Sequence, residues 1–236
     1  MDLLLAFKKY FLNIKFVLLT SVLFIFTLFA INPLFKITGG SLDISYNLFL
    51  ENPISIIITL IAITTFILIF TLLQVILIYR VEDSYAFEKY PISDIRKSFI
   101  ELFQFNIIYY LIIVLLSSFL YEIGLLDNIF TNLILFIISI LFWFIPQIIV
   151  LEKEKAIHAL VINFNYIKRN YLYLIYLFIS CFILVLITYV IDVIFGVFGG
   201  TIISNIFFVL FVIPFIEILK TEIYLDKYNL LKPQNK

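Results

Sequence analysis

Long runs without charge alternate with short charged segments along the whole chain. Six segments of at least 20 residues contain no Asp, Glu, Lys or Arg. These segments are residues 16–35, 54–79, 102–121, 129–151, 171–191 and 194–216. A helix needs about 20 apolar residues to cross ~30 Å of hydrocarbon. The pattern therefore predicts six membrane-spanning segments.

The residue pattern inside these segments indicates helices rather than strands. Ile56, Ile57 and Ile58 follow one another without the apolar–polar alternation of a transmembrane barrel strand. In lipid, a helix satisfies its backbone N–H and C=O groups internally. We therefore expect an all-α, polytopic integral membrane protein that forms a single transmembrane domain over residues 1–236. Short outer loops predict that the six helices form three antiparallel hairpins.

Composition narrows the class of protein further. Hydrophobic residues make up 64% of the 236 residues and charged residues only 14%, whereas soluble domains are about half apolar and a quarter charged. A disordered chain, a disulfide scaffold and a nucleic-acid-binding protein need low hydrophobicity, many cysteines and a basic excess, respectively. This chain has one cysteine and a net charge of zero, so all three classes are excluded.

The distribution of basic residues predicts the orientation in the membrane. With six spans, every Lys and Arg except Lys36 falls on the side of the two termini and the loops 80–101 and 152–169. Cytoplasmic loops accumulate Lys and Arg, so we expect a multi-pass protein of the cell membrane with cytoplasmic N- and C-termini. The first segment is too long, and its end too poor in small residues, for a cleaved signal peptide.

Three short amphipathic stretches precede the odd-numbered segments. Each places apolar residues three and four positions apart, on one helical stripe. The stripes contain Leu4, Phe7, Phe11 and Ile14; Ile92, Ile95, Phe99 and Leu102; and Ile157, Leu160, Phe164 and Ile167. The stretches are predicted to be cytoplasmic amphipathic helices in the headgroup layer, or else the wet first turns of the spans. Their basic residues Arg96, Lys97, Lys168 and Arg169 are the candidates for binding lipid headgroups.

The three stretches also resemble one another. Phe7, Phe99 and Phe164 each follow a small or polar residue, and each is followed by an Asn where a span begins. The preceding residues are Ala6, Ser98 and Asn163, and the Asn residues are Asn13, Asn106 and Asn170. This spacing predicts a degenerate threefold repeat of amphipathic helix plus hairpin, and internal repeats are common in polytopic proteins.

Few side chains could carry out chemistry. His158 is the only histidine, which excludes a His–His metal pair. Cys181 lies inside the fifth segment, where a thiol in hydrocarbon is unreactive. Asp192 has no second Asp within a span, as a carboxylate dyad would require. We expect no catalytic, cofactor-binding or metal-binding residues, and we predict that the protein is not an enzyme.

Polar residues within or at the ends of the spans are the stronger candidates, because polar groups are costly in lipid. They are Gln74, Gln147, Asn205 and Glu217. One interpretation is hydrogen bonding between helices. The alternative is that they line a substrate path between repeats.

The segment around the fourth and fifth spans resembles a known pattern. It contains Pro146-Gln147, Val150-Leu151-Glu152, Ala156-Ile157-His158-Ala159-Leu160, Asn163 and Lys168-Arg169-Asn170. It looks like stand-alone six-span membrane proteins of bacteria and archaea related to the membrane domain of some glycerophosphoryl diester phosphodiesterases. Asn163 stands where that pattern usually has Ser. The resemblance implies a related fold and no activity, since the phosphodiesterase reaction belongs to a separate soluble domain.

Two functions fit these observations. The first is a non-enzymatic membrane module that interacts with membrane lipids or binds a partner, either another membrane protein or a second copy of the chain. The alternative is a small transporter or permease component. A dry bundle would favour the first, whereas a water-accessible cavity lined by Gln74, Gln147 and Asn205 would favour the second.

Overall fold

The computed structural model describes residues 3–31, 35–38, 41–44, 53–86, 91–122, 137–195 and 200–231. The α-helices are α1 (Leu3–Leu12), α2 (Ile14–Ile31), α3 (Pro53–Ala86), α4 (Ile92–Glu122), α5 (Ile145–Leu151), α6 (Ala156–Arg169), α7 (Tyr171–Phe195), α8 (Gly200–Phe207) and α9 (Ile213–Leu231). A π-helical turn, Phe208–Val212, joins α8 to α9. The predicted helical class is confirmed.

One small β-hairpin interrupts the helical pattern. Strand β1 (Phe35–Thr38) pairs with strand β2 (Ser41–Ile44) in antiparallel register, with Thr38 opposite Ser41. Two glycines, Gly39 and Gly40, separate the strands in the sequence, and such a pair is a strong hairpin signal. The hairpin follows the first predicted span, in a segment that the sequence analysis treated only as a loop.

Three helical segments are long and apolar enough to cross a membrane, judged by length and composition. They are Ile63–Asp83 in α3, Ile92–Leu116 in α4 and Tyr171–Phe195 in α7. Ile137–Leu151 is a shorter apolar segment. Residues 123–136 lie outside the described part, which therefore covers only the second half of the predicted fourth span.

Two of the three predicted amphipathic stretches form separate helices. Helix α1 ends at Leu12 and α6 ends at Arg169, and in each case the next residue is an Asn, Asn13 or Asn170. At each break the Asn Nδ2 donates a hydrogen bond to the carbonyl four residues earlier, at 2.9 Å to Lys9 and 3.0 Å to Tyr166. The side chain thereby competes with the backbone ladder and marks the helix end.

The second stretch is not a separate helix, because α4 runs without a break from Ile92. The corresponding residue, Asn106, is buried and donates its amide hydrogens to other side chains instead of its own backbone. For this stretch the alternative interpretation, the first turns of a longer helix, is the one the structure shows.

Helix α9 lies at the centre of the packed core. It contacts α1, α3, α5 and α7. Nearly every side chain from Pro214 to Tyr224 is buried, including the charged and polar residues Glu217, Lys220, Thr221 and Glu222. Burial of unpaired charge is very costly, so the partners of these residues determine how the helices fit together.

Candidate functional site: a buried polar cluster around Glu217

Three helices place polar side chains around one carboxylate. Glu217 of α9 accepts a hydrogen bond from Gln74 Nε2 of α3 at 3.0 Å on Oε1. It accepts another from Gln147 Nε2 of α5 at 3.2 Å on Oε2. All three side chains are buried. Thus three of the four polar candidates from the sequence meet at a single group.

Lys220 completes the coordination of the carboxylate. Its Nζ donates to Glu217 Oε1 at 2.6 Å, and both side chains are at most 6% exposed. The two residues are three positions apart, so they share one face of α9. The sequence predicts that Lys220 lies on the cytoplasmic side and one turn after Glu217, but it does not show that Lys220 is buried. The helix continues past the predicted end of the sixth segment and buries both residues.

The cluster extends from α3 to α4 through amide groups. Asn106 Nδ2 donates to Gln74 Oε1 at 3.1 Å and to Thr71 Oγ1 at 2.9 Å. On the opposite side, Thr221 Oγ1 donates to its own helix at Glu217 O, 2.8 Å away. Sequence reasoning placed Asn106 only in the repeat and did not consider Thr71 or Thr221. A polar residue inside a charge-free segment was the signal that could have identified Asn106 and Thr71.

One polar atom of the cluster is left without a partner. Gln147 Oε1 is buried and accepts no hydrogen bond from the residues that the structure describes. The Nε2 of the same amide donates a hydrogen bond to Glu217 Oε2, and Thr221 Oγ1 lies 3.5 Å from this Nε2. The amide is therefore oriented by the carboxylate, because a donor must face the negative charge.

The fourth candidate, Asn205, does not join the cluster. It is half-buried in α8 and lies twelve residues before Glu217, or about 18 Å along a helix axis. Its neighbour Ser204 instead donates to Asp192 Oδ1 of α7 at 3.4 Å. Gln74, Gln147 and Asn205 therefore do not come together to line one cavity.

A second buried ion pair joins α1 to α9. Lys9 Nζ lies 2.6 Å from Glu222 Oε1, and each side chain is 7% exposed. Burial lowers the pKa of Lys9, while the Glu222 carboxylate opposes that shift. The sequence predicts only the side of the membrane on which Lys9 lies and does not show that it is buried. The pair fixes the N-terminal amphipathic helix against the central helix.

The four basic headgroup candidates are all exposed. Arg96 and Lys97 lie in the first two turns of α4, and Lys168 and Arg169 form the last turn of α6. Cations at a helix C-terminus are favoured by the helix dipole, which suits the second pair.

The linker between α5 and α6 is tied to α4 by an ion pair. Lys153 Nζ pairs with the Asp94 carboxylate. This partner raises the pKa of Lys153. Lys153 also has a positive φ of 57°, a conformation that is uncommon for a residue with a Cβ.

Two of the three residues first considered for chemistry, His158 and Cys181, have ordinary environments. His158 is exposed and its Nδ1 lies 2.7 Å from Glu154 Oε2. Cys181 is buried in α7. Within the described ranges, no group of three or more His, Cys, Asp or Glu side chains could hold a metal ion. Comparison of the chain with known protein families, curated proteins and solved structures finds no match.

We expect a large loss of protein stability when the negative charge of Glu217 is removed. Glu217→Gln leaves the buried Lys220 ammonium without its counter-ion, and we expect a loss of about 3–5 kcal/mol of stability. Thermal unfolding of the detergent-solubilised protein, followed by the fluorescence of the single tryptophan Trp143, measures the loss. The double variant Glu217→Gln/Lys220→Met should recover much of it, because no unpaired charge then remains.

Glu154→Gln is the matched control. It makes the same chemical change at the exposed ion pair with His158, where about 0–1 kcal/mol is expected. Equal shifts for Glu217→Gln and Glu154→Gln would contradict the structural importance of the cluster.

Proposed function

We propose that this protein is a non-enzymatic membrane module that binds lipid headgroups at its cytoplasmic face. The observation that carries the proposal is the way in which α6 presents three different faces. Ala159, Asn163 and Tyr166 are buried against the rest of the protein. The remaining surface of the helix divides into an apolar side and a polar side.

The apolar side of α6 is exposed although it is strongly hydrophobic. Ile157, Val161 and Phe164 lie on one stripe, and Ile157 is 81% exposed. Next to this stripe, His158, Asn165 and Arg169 form an exposed polar stripe. A helix that touches protein, hydrocarbon and water along three faces suits the membrane interface, with its apolar side down.

Helix α1 repeats this arrangement at the other end of the chain. Ala6, Lys9 and Tyr10 are buried, whereas Leu4 and Phe11 are 76% and 60% exposed. Tyr10 OH donates to the carbonyl of Leu210 at 2.9 Å, which anchors the helix to the π-helical turn. Exposed apolar stripes on both α1 and α6 support a lipid-facing surface made by two helices rather than one isolated apolar patch.

The proposal includes six crossings in three antiparallel hairpins, with both termini in the cytoplasm and the cell membrane as the location. Contacts between successive helices support it: α2 packs against α3, α4 against α5, and α7 against α8. The three helical segments that are apolar and long enough to span overlap the predicted second, third and fifth spans. The β-hairpin would then lie on the outer side.

The buried cluster favours this function over the transporter alternative. Gln74, Gln147 and Glu217 use their polar groups to bind one another, and Gln147 is 0% exposed. Interhelical hydrogen bonds of this kind stabilise a bundle. A homo-oligomer or a membrane-protein partner is compatible with the proposal, and so is the fold relation to the membrane domain of glycerophosphoryl diester phosphodiesterases, which stays a prediction.

Removing the basic end of α6 should weaken the association with anionic lipid. We expect Lys168→Gln/Arg169→Gln to lower the preference for phosphatidylglycerol over phosphatidylcholine severalfold, since each basic residue contributes about 1 kcal/mol at a membrane surface. Electron paramagnetic resonance of spin-labelled lipids around the reconstituted protein measures this preference. The difference should shrink at high salt because the charges are exposed.

Lys155→Gln is the control for that experiment. It removes one exposed positive charge at the opposite end of the same helix, where the helix dipole is unfavourable for a cation. The proposal would be wrong if the lipid preference of the double variant equalled that of the wild type and of Lys155→Gln.

The topology makes a separate prediction for single-cysteine variants made in a Cys181→Ala background. Ser41→Cys and Asp127→Cys should react with a membrane-impermeant maleimide in intact cells, because both are predicted to lie outside. Lys8→Cys and Lys155→Cys should react only after the membrane is permeabilised. Labelling of either of the last two in intact cells would contradict cytoplasmic termini and loops.

A further inference from the structure

We infer that the α4 surface carries a binding site for one phospholipid whose headgroup combines a phosphate with a primary ammonium group, the chemistry of phosphatidylethanolamine. This inference rests on the proposed lipid-binding function and names a headgroup class for one part of the cytoplasmic face. It is carried by a cleft of mixed charge at the base of α4 and by the residues that continue from it along the same helix.

The cleft lies between the first turns of α4 and the linker that joins α5 to α6. Asp94, Lys97 and Glu101 contribute from α4, and Lys153 and Glu154 contribute from the linker. Three carboxylates and two ammonium groups give it a net charge of −1. This balance opposes a purely anionic headgroup and favours one that also carries a positive charge.

Some of the charged groups in the cleft form ion pairs, and others do not. Asp94 pairs with Lys153, and Glu154 lies 2.7 Å from His158 Nδ1. The hydrogen bond from Lys153 lowers the pKa of Asp94, and the charge of Lys97 helps to lower it. Neither Lys97 nor Glu101, however, forms an ion pair with the residues that the structure describes. One cation for a phosphate and one carboxylate for an ammonium group are thus available, one turn apart on α4.

The cleft distinguishes a primary ammonium from a quaternary one. Carboxylates accept hydrogen bonds from N–H groups, which a primary ammonium has and a choline group lacks. Choline is typically bound by aromatic cages. None of the described residues that line the cleft is aromatic, so the lining suits the ethanolamine headgroup.

A stripe of side chains on the same side of α4 continues from the cleft along the helix. From Lys97, side chains at alternating spacings of four and three residues share one stripe, and none of them is buried. The stripe consists of Lys97, Glu101, Gln104, Ile108, Leu111 and Leu115. Along the stripe the side chains change from charged to amide to apolar. A phospholipid changes in the same order, from its charged headgroup through the ester groups to the acyl chains.

Gln104 is otherwise unexplained. It is an exposed amide on a face whose neighbours Ile100, Ile107 and Ile108 are exposed and apolar, and polar groups facing hydrocarbon are costly. A lipid ester carbonyl would accept a hydrogen bond from its Nε2. The twelve residues from Gln104 to Leu115 rise about 16 Å, close to half of the ~30 Å hydrocarbon thickness, so one acyl chain fits along the rest of the stripe.

The test uses the full chain reconstituted in nanodiscs with equal parts of phosphatidylethanolamine, phosphatidylcholine and phosphatidylglycerol. After transfer to a mild detergent, mass spectrometry counts the lipids that stay bound to the protein. We expect phosphatidylethanolamine to be retained above its share. Lys97→Gln and Glu101→Gln should each lower this retention about tenfold, as expected for the loss of a hydrogen bond to a charged group.

Lys8→Gln is the matched control, because Lys8 is equally basic and exposed but lies on α1 and does not line the cleft. It should leave retention of phosphatidylethanolamine unchanged. Unchanged elution volume and Trp143 fluorescence show that the variants are folded. Gln104→Leu tests the ester contact and should lower retention without altering the headgroup preference.

Two results would overturn the inference. One is equal retention of all three lipids by the wild type, and the other is retention of phosphatidylethanolamine that Lys97→Gln and Glu101→Gln do not change. A preference for phosphatidylglycerol that depends on Lys168 and Arg169 would overturn this headgroup assignment but support the proposed function. If the proposed function itself fails, any preference for phosphatidylglycerol will not depend on Lys168 and Arg169.

Discussion

A buried carboxylate with three hydrogen-bond donors holds helices α3, α5 and α9 together. Glu217 accepts from Gln74, Gln147 and Lys220, and all four side chains are almost fully buried. In an apolar interior a carboxylate without partners is so unfavourable that it would become protonated or the helices would separate. The donors must therefore stay in place, and this requirement fixes the rotation of each helix about its axis.

This constraint explains why a chain so rich in apolar residues can adopt one arrangement. Apolar faces of Ile, Leu and Phe pack against one another in many ways of similar energy, whereas a directed hydrogen bond to a charge permits few. The Lys9–Glu222 pair acts in the same way on α1. The central helix thus carries both of these buried carboxylates, and α1 is positioned relative to it.

The sequence predicted the helices well because absence of charge over 20 residues is a physical requirement of the hydrocarbon. It also identified Gln74, Gln147 and Glu217 as costly groups, without showing that they converge, since their contacts join positions 70 and 143 residues apart. The burial of Lys220 could not be predicted, because a charge near the end of a span looks the same in the sequence whether it faces water or a buried partner.

The amphipathic stretches show a second limit of sequence reasoning. The pattern in α6 predicted that Ile157, Leu160, Phe164 and Ile167 share one apolar stripe. In the structure Leu160 and Ile167 pack against the core, whereas Ile157 and Phe164 are exposed. A helix at a membrane interface has two apolar environments, protein and lipid, and hydrophobicity alone cannot separate them. The buried polar residue Asn163, not the apolar stripe, marks the protein side.

The most direct test of the central claim is a mutant cycle on the two glutamines. Gln74 and Gln147 both bind Glu217, so their effects on stability should be coupled through it. We expect Gln74→Leu and Gln147→Leu to be non-additive by about 0.5–3 kcal/mol in the wild type and additive in Glu217→Leu/Lys220→Met, where residue 217 can no longer bind either glutamine. Additivity within about 0.5 kcal/mol in both backgrounds would contradict the account.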